Sequence, residues 1–166
     1  MRRSVTHCFM ELALFQPDQP QNTGTILRLG ACMGVRVHII EPCGFPFSLK
    51  AFKRAAMDYA DQVDVIRHET FEAFWQWATD HKKSIILLTT KSAVPHTHLS
   101  YETDNILLLG QESAGVPEEI HKRIEKRVVI PMKPGMRSLN IAVAASMVLA
   151  EALRQTNQFF TTAIKE

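Results

Sequence analysis

The chain has 166 residues, of which 19 are Lys or Arg and 17 are Asp or Glu, so its formal net charge is only +2. A chain of this length can bury a full hydrophobic core, and we expect residues 1–166 to form one domain. The small net charge does not by itself indicate nucleic-acid binding, so only a local cluster of cations could argue for it. The cysteines, Cys8, Cys32 and Cys43, are too few and too scattered for a disulfide framework or a zinc knuckle, which favours a cytoplasmic protein.

Two apolar stretches could be mistaken for targeting or membrane segments. The stretch after Arg2 and Arg3 is interrupted by His7 and Glu11, and no small-residue cleavage site follows it, so a signal peptide is not expected. The longest apolar run, residues 141–150, has about half of the ~20 residues that cross a bilayer. The sequence therefore predicts no membrane partner.

Apolar patterns and turn residues predict strands and helices in regular alternation. The first predicted helix begins at its cap, Asn22, after a proline-rich turn, and ends at Gly34. The predicted strands cover residues 5–15, 35–40, 63–66, 84–90, 105–109 and 127–130. The later helices are predicted over residues 48–57, 69–81, 117–124 and 141–153. The alternation indicates an α/β fold, a mostly parallel sheet with helices on both faces.

The segment before the last predicted helix must bend. Pro131, Pro134 and Gly135 disfavour regular structure there, and Ser138 is predicted to cap the helix that follows. Ligands of parallel sheets bind beyond the carboxyl ends of the strands. We therefore expect three segments, residues 89–90, Gly110 with its following turn, and residues 130–140, to line one crevice.

Several common catalytic motifs are absent or incomplete. Ser113 lies three residues after Gly110 instead of the two that a nucleophile elbow requires, so a ligand-binding turn is a better interpretation than a serine nucleophile. No Gly-x-Gly-x-x-Gly fingerprint follows a strand, which argues against a dinucleotide-dependent oxidoreductase. His96 and His98 have no evident third ligand, so we expect solvated histidines and no metal.

Cations at helical spacing offer a candidate nucleic-acid surface. Lys50, Lys53 and Arg54 share one face of a predicted helix, which is either simply solvated or part of a phosphate-binding surface. Further cations that could contribute are Arg28, Arg67, Lys133, Arg137 and Arg154. Arg28 follows a predicted helix start, where it could hold a phosphate or could pair with an acid such as Glu112.

Three motifs occur in a fixed order along the chain. They are Asn22-Thr23-Gly24 with Arg28, the run from Leu109 to Pro117, and the run from Ile130 to Asn140. Together with residues 38–45 and Asp58-Tyr59, this pattern spans nearly the whole chain and resembles the SPOUT superfamily of RNA methyltransferases, specifically the SpoU or TrmH-like ribose 2′-O-methyltransferases. The short length, without an appended RNA-binding domain, is most similar to the minimal TrmL subfamily, which acts on the wobble nucleotide of tRNA.

The resemblance implies a fold, a cofactor and partners. The expected fold has a C-terminal trefoil knot, the expected methyl donor is S-adenosyl-L-methionine with S-adenosyl-L-homocysteine as product, and the expected partners are tRNA and a second copy of the chain. The implied reaction is in-line attack of a ribose 2′-oxygen of cytidine or uridine 34 on the sulfonium methyl. The small residues Ala142, Ser146 and Ala150 could form the dimer face or simply belong to a tightly packed core helix.

The resemblance also assigns roles to residues of this sequence. Since a guanidinium stays protonated, Arg28 is expected to act electrostatically and not as a base. The implied catalytic residues are Arg28, Ser138 and Asn140. The implied cofactor-binding residues are Leu88, Thr89, Gly110, Glu112, Ile130, Met132, Ser138 and Leu139. The implied RNA-binding residues are Arg28, Lys50, Lys53, Arg54 and Arg137.

Other functions are compatible with parts of the pattern. The enzyme could methylate another tRNA or rRNA position, because Ala114 and Ala150 stand where wobble-type members often carry Arg and Tyr. A non-catalytic RNA-binding factor with the same fold is a second alternative, against which the joint presence of Arg28, Ser138 and Asn140 argues. A nucleotide-dependent oxidoreductase is a third, disfavoured by the missing fingerprint.

Overall fold

The computed structural model describes residues 10–55 and 57–161. Its strands are β1 (Glu11–Phe15), β2 (Val37–Ile40), β3 (Val65–His68), β4 (Ser84–Leu88), β5 (Asn105–Leu109) and β6 (Lys126–Val128). Its α-helices are α1 (Pro20–Met33), α2 (Leu49–Ala55), α3 (Phe71–Asp80), α4 (Glu118–Arg123) and α5 (Ile141–Gln155). A 3-10 helix, Met57–Gln62, follows α2.

The six strands form one sheet in the order β3-β2-β1-β5-β4-β6, and every pairing is parallel. All residues of the central strands β1 and β5 are buried, as expected for strands covered on both faces. The predicted α/β class with a parallel sheet is therefore confirmed. The single-domain organisation and the C-terminal knot stay predictions.

Two apolar clusters hold the helices against opposite faces of the sheet. On one face, α1 and α5 pack together over residues such as Leu12, Leu107 and Val128. On the other face, α3 and α4 cover residues such as Phe15 and Leu108. Because β1 leads into a helix on one face and its neighbour β5 leads into a helix on the other, a crevice opens between their carboxyl ends.

The predicted boundaries differ from the observed ones mainly at the ends of elements. The expectation that Asn22 caps the first helix was wrong, because α1 begins at Pro20, whose missing N–H and fixed φ suit the first helical position. Asn22 therefore lies in the first turn of α1, with its side chain available for tertiary contacts. The predicted end at Gly34 is confirmed, since this residue adopts the left-handed conformation (φ 65°).

Smaller shifts occur elsewhere. β3 lies two residues later than predicted, and β4 and β6 both end two residues earlier than predicted. Residues 5–9 of the first predicted strand lie outside the described residues. Across residues 10–55 and 57–161, no helix is long and apolar enough to span a membrane.

Candidate active site

A cavity of about 390 Å³ lies at the carboxyl ends of β4, β5 and β6. Its walls come from residues 87–91, 109–112, 114–116, 129, 130, 132, 138, 139 and 141, together with His121. The prediction that three loops line one crevice is confirmed. All eight residues predicted to bind the cofactor line this cavity: Leu88, Thr89, Gly110, Glu112, Ile130, Met132, Ser138 and Leu139.

The turn after β5 presents its backbone to the cavity. Gln111 and Gly115 exchange two backbone hydrogen bonds of 2.9 Å, which close the turn into a small ring. A Cβ at Gly110 would lie 2.5 Å from the carbonyl carbon of Gly115, so this close approach requires glycine. Gly115 has φ 66°, and the space where its Cβ would stand is open. The two glycines therefore fix a main-chain surface that a ligand can approach.

Asn140, not Ser138, caps the last helix. The Asn140 side-chain oxygen accepts from the backbone N–H groups of Ala142 (2.9 Å) and Val143 (3.3 Å). The predicted cap at Ser138 was wrong because α5 begins at Ile141, so the capping position is the residue directly before it, Asn140. Ser138 instead lies in the cavity wall, in the bend that contains Gly135 at φ 90°.

Hydrogen bonds connect this helix start to the first helix and to the glycine turn. The Asn140 amide nitrogen donates to the Asn22 side-chain oxygen (3.0 Å), and the Asn22 amide nitrogen donates to Glu112 (3.5 Å). The backbone N–H of Asp18 also donates to Glu112, at 3.4 Å. Residues from three distant parts of the chain thus meet beside the cavity, at the crevice between β1 and β5.

The Asp18 and Glu112 carboxyl groups lie close enough to shift each other's pKa. Burial raises the pKa of Glu112, and the hydrogen bond with Asp18 raises it further. The same hydrogen bond lowers the pKa of Asp18, which also accepts from the Ser113 hydroxyl. Of the two carboxyl groups, Glu112 is therefore the weaker acid. Sequence reasoning missed Asp18, whose only signal was its position directly after a strand.

Arg28 lies outside the cavity but on the same helix as Asn22. Six residues separate the two, which is about 9 Å along a helix axis. The Arg28 guanidinium lies over the Tyr59 ring, 4.8 Å from its centre, and is exposed. Among the described residues Arg28 forms no ion pair with Glu112. Its positive charge remains accessible to a ligand.

The predicted basic helix lies beside α1. Phe52 of α2 contacts Gly24, where an added Cβ would come within 3.3 Å of the ring. Lys50 and Arg54 are exposed, and Lys53 is half-buried. Of the remaining candidate cations, Lys133 and Arg137 are exposed near the cavity-lining bend. The others are ion-paired, Arg67 with Glu41 and Arg154 with Glu151.

Of the two histidines that were predicted to be solvated, one is buried. His98 is exposed, but His96 is buried and its carbonyl oxygen accepts from the Tyr101 hydroxyl (2.7 Å), so the prediction of a solvated His96 was wrong. Packing of the 92–101 loop against β6 and α5 explains this burial. In the part of the chain that the structure describes, no three His, Cys, Asp or Glu side chains form a group that could hold a metal ion.

Comparison with known proteins identifies the family. The model of the SpoU rRNA methylase family matches residues 10–150, which include every element from β1 through most of α5. The chain belongs to the SpoU methylase family. Within this family the chain is 58% identical, over 144 residues, to a protein of Beijerinckia indica named tRNA (cytidine(34)-2′-O)-methyltransferase; the match covers 87% of this chain and 90% of that relative.

Solved structures of SpoU methylases have the same architecture. One is described as giving structural insights into the 2-OH methylation of C/U34 on tRNA. It superposes with a TM-score of 0.81 at 35% identity, and the match covers 89% of this chain and 95% of that protein chain. An AdoMet-bound rRNA methyltransferase from Sinorhizobium meliloti superposes with a TM-score of 0.77 at 28% identity, over 88% of this chain and 56% of that protein.

Proposed function

We propose that this SpoU methylase transfers a methyl group from S-adenosyl-L-methionine to the ribose 2′-oxygen of cytidine or uridine 34 in tRNA. The observation that carries the proposal is the match over nearly the whole chain to a relative named for this reaction, which is 58% identical. The solved structure concerned with C/U34 methylation supports the same substrate, because its similarity to this chain extends over 95% of that structure's length.

The cavity suits the proposed methyl donor. Its volume of about 390 Å³ lies within the range of small-molecule sites. Its walls contain both apolar side chains and the main chain at Gly110 and Gly115. It also contains a buried ring nitrogen, His121 Nε2, that has no hydrogen-bond partner among the described residues. The eight residues predicted to bind the cofactor would hold the donor. When bound, it supplies a methyl group activated by a positively charged sulfur.

The residues beside the cavity position the acceptor ribose. Asn140 and Asn22 are fixed by their mutual hydrogen bond and by the hydrogen bond from Asn22 to Glu112, so their polar groups are oriented before the substrate binds. Such preorganisation lowers the barrier by holding the 2′-oxygen in line with the methyl group. Arg28 contacts the phosphate of the target nucleotide and stabilises the negative charge that develops on the attacking oxygen. Ser138 and Arg137 contact the substrates from the bend before α5.

A basic surface next to Arg28 binds the rest of the RNA. Lys50, Lys53 and Arg54 lie on α2, which is packed against α1 through Phe52 and Gly24. Cations arranged in this way neutralise successive phosphates, so binding should weaken as salt is added. The protein acts in the cytoplasm, where its tRNA substrate is found.

The active form is a homodimer. The predicted dimer stripe of Ala142, Ser146 and Ala150 does not face solvent as a unit, because Ala142 is buried and Ser146 is half-buried. The solvent face of α5 instead exposes Val143 (49%) and Met147 (41%). Leu139, at the edge of the cavity, is also 39% exposed. A contiguous apolar surface of this kind favours association with a second copy.

The function is tested on tRNA from a strain that lacks the gene. Mapping of 2′-O-methylation should show loss at position 34 and recovery when the wild-type gene is restored, but not when the Arg28→Ala gene is restored. Loss at another tRNA or rRNA position with an unchanged wobble nucleotide would refute the proposed target. Absence of methyl transfer from labelled donor to tRNA from the deletion strain would instead favour a non-catalytic RNA-binding factor.

A further inference from the structure

His121 lines the cavity and carries a buried ring nitrogen without a hydrogen-bond partner among the described residues. Three buried side-chain polar atoms lack a partner among the described residues: Asp18 Oδ1, His96 Nδ1 and His121 Nε2. Of these three residues, only His121 lines the cavity. Buried polar groups without partners are rare in folded proteins, and each requires an explanation such as a ligand or an ordered water.

Arg127 determines which nitrogen of the His121 ring carries the proton. The Arg127 Nη1 atom lies 3.0 Å from His121 Nδ1 and 3.1 Å from the His121 carbonyl oxygen. A guanidinium can only donate, so Nδ1 accepts and the proton of the neutral ring is on Nε2. Since Nη1 carries two hydrogens, it can make both contacts at once. The ring is thereby fixed with an N–H donor as its unsatisfied atom.

The elements on either side of His121 are also held in place. Arg127 belongs to β6, which pairs with β4, so the group that orients the ring is anchored in the sheet. One turn earlier in α4, Glu118 lies 3.9 Å from Lys91, which follows β4 and also lines the cavity. His121 therefore lies in a part of the cavity wall that is anchored to the sheet through Arg127.

We propose that the His121 Nε2–H donates a hydrogen bond to an oxygen or nitrogen atom of S-adenosyl-L-methionine or S-adenosyl-L-homocysteine bound in the cavity. Arg127 acts as a positioning residue by selecting the tautomer. The proposal rests on the proposed function, because it takes the methyl donor as the ligand of this cavity. It adds a side-chain contact from α4 to a site otherwise formed by the three loops.

Calorimetric titration with S-adenosyl-L-homocysteine tests the proposal without relying on catalysis. His121→Leu, which removes the donor, should weaken binding about tenfold, in keeping with the loss of one buried hydrogen bond. His121→Gln, which can place an N–H near the same point, should recover part of the affinity. Lys122→Leu is the matched control, since Lys122 is the next residue of α4 and is exposed, and it should bind like the wild type.

The outcomes separate this proposal from the broader one. If the wild-type protein does not bind S-adenosyl-L-homocysteine at all, the proposed cofactor fails. If the wild type binds and His121→Leu binds equally well, the cofactor stands and the His121 contact is overturned, because a water must then satisfy Nε2. Methylthioadenosine, which lacks the amino-acid group, locates the contact: an equal loss of affinity for this probe places His121 on the nucleoside, and a smaller loss places it on the amino-acid part.

Nitrogen-15 NMR of the unaltered protein provides a second measurement in case His121→Leu folds poorly. The resonances of the His121 ring should show a proton on Nε2, and S-adenosyl-L-homocysteine should shift the Nε2–H signal. Arg127→Leu should shift the tautomer equilibrium toward protonated Nδ1 and weaken binding. A wild-type Nε2–H signal that does not respond to saturating ligand would overturn the proposal.

Discussion

Arg28 combines exposure with a fixed position. Its guanidinium lies over the Tyr59 ring at 4.8 Å, which restricts its orientation without neutralising its charge. The hydrogen bond and electrostatic interaction with Tyr59 raise the pKa of Arg28 above its ordinary value, so the group is a permanent cation. A residue with these properties can bind a phosphate or a developing negative charge, but it cannot accept a proton.

Replacement of Arg28 should separate catalysis from cofactor binding. We expect Arg28→Ala to lower the rate of tRNA methylation by at least about 100-fold, as for the loss of a charge-stabilising donor. Affinity for S-adenosyl-L-homocysteine should stay within about twofold of the wild type. Rate assays with labelled donor and calorimetric titration measure the two quantities.

Two further variants sharpen this experiment. Arg28→Lys keeps the charge but loses the planar fork, so its rate should be intermediate. Arg36→Ala removes an arginine that pairs with Asp64 away from the cavity and should leave both quantities unchanged. An equal loss of methylation and of cofactor affinity in Arg28→Ala would contradict the proposed division of labour.

For single residues, the sequence located the candidate site where the residues belong to a motif. Arg28, Glu112 and Asn140 belong to ordered motifs, and the residues expected in the three loops line one cavity. Asp18 was missed because its contact with Glu112 joins positions 94 residues apart, and no local pattern encodes that contact. The exposed donor on His121 depends similarly on Arg127, a residue of another element.

The start of α5 places the residue that caps the helix close to a residue of the cavity wall. Asn140 uses its oxygen for the helix cap and its nitrogen for Asn22, whereas Ser138 remains available in the cavity wall. Ser138 and Asn140 are both residue types that cap helices, but the sequence analysis predicted only Ser138. Choosing between them required the exact first turn of the helix, which depends on packing and not on local preference.

Substitutions at the two positions should have different effects on stability. Asn140→Ala should lower the free energy of unfolding by about 1 kcal/mol, because two backbone N–H groups lose their acceptor. Ser138→Ala should change it by less than about 0.5 kcal/mol. Urea denaturation measures both values, and an equal loss for the two variants would contradict the assignment of Asn140 as the cap.

Asn140→Asp provides a matched variant for the second role of this residue. An aspartate oxygen can still accept from Ala142 and Val143, so the helix should remain stable. The side chain can no longer donate to Asn22, so the rate of methylation should fall while the urea midpoint stays near that of the wild type. If this variant methylates tRNA as fast as the wild type, the Asn140–Asn22 contact has no role in positioning.

At the scale of the whole molecule, the exposed apolar residues of α5 form the surface through which we propose that a second copy binds. We expect the double variant Val143→Glu, Met147→Arg to sediment as a monomer at concentrations where the wild type is a dimer, because charged side chains would have to be buried in the interface. The fold should persist, since both side chains are largely exposed. Lys122→Glu, on α4, serves as the control. A wild-type protein that sediments as a monomer at micromolar concentration would contradict the homodimer.

A buried polar network under α3 makes the stability of the molecule dependent on pH. His38 lies between Glu11 (2.6 Å) and His68 (2.9 Å), and Lys83 contacts the other oxygen of Glu11 at 2.8 Å. Burial, followed by the neighbouring His38, lowers the pKa of His68 to about 4, and burial also lowers the pKa of His38. Burial alone would raise the pKa of Glu11, but hydrogen bonds from His38 and Lys83 outweigh it and lower the pKa.

These shifts predict weaker folding in mild acid. Below about pH 6.5 the unfolded chain gains protons on these imidazoles, whereas folded His68 does not until about pH 4, so the free energy of unfolding should fall across this window. Above pH 6.5 this contribution is fully present. Glu11 adds a further loss below about pH 4.5, where the unfolded carboxylate takes up a proton before the folded one does.

The pH dependence is measured by urea denaturation between pH 4 and pH 7. His68→Gln should flatten the slope, because one shifted imidazole is removed while its amide can still donate to His38. His98→Gln, which changes an exposed histidine in a loop, should keep the wild-type slope. An equal slope in the wild type, His68→Gln and His98→Gln would contradict the lowered pKa of His68.

The pairing of β1 with β5 has a consequence for how the enzyme becomes active during folding. Glu11 lies opposite Ile106 in this pair, so the central pairing must wait until the chain has closed a loop of more than half its length. The cavity then needs β6 and the start of α5 as well, which come later still. A nascent chain therefore contains Arg28 and the residues of α2 long before it can form the cavity.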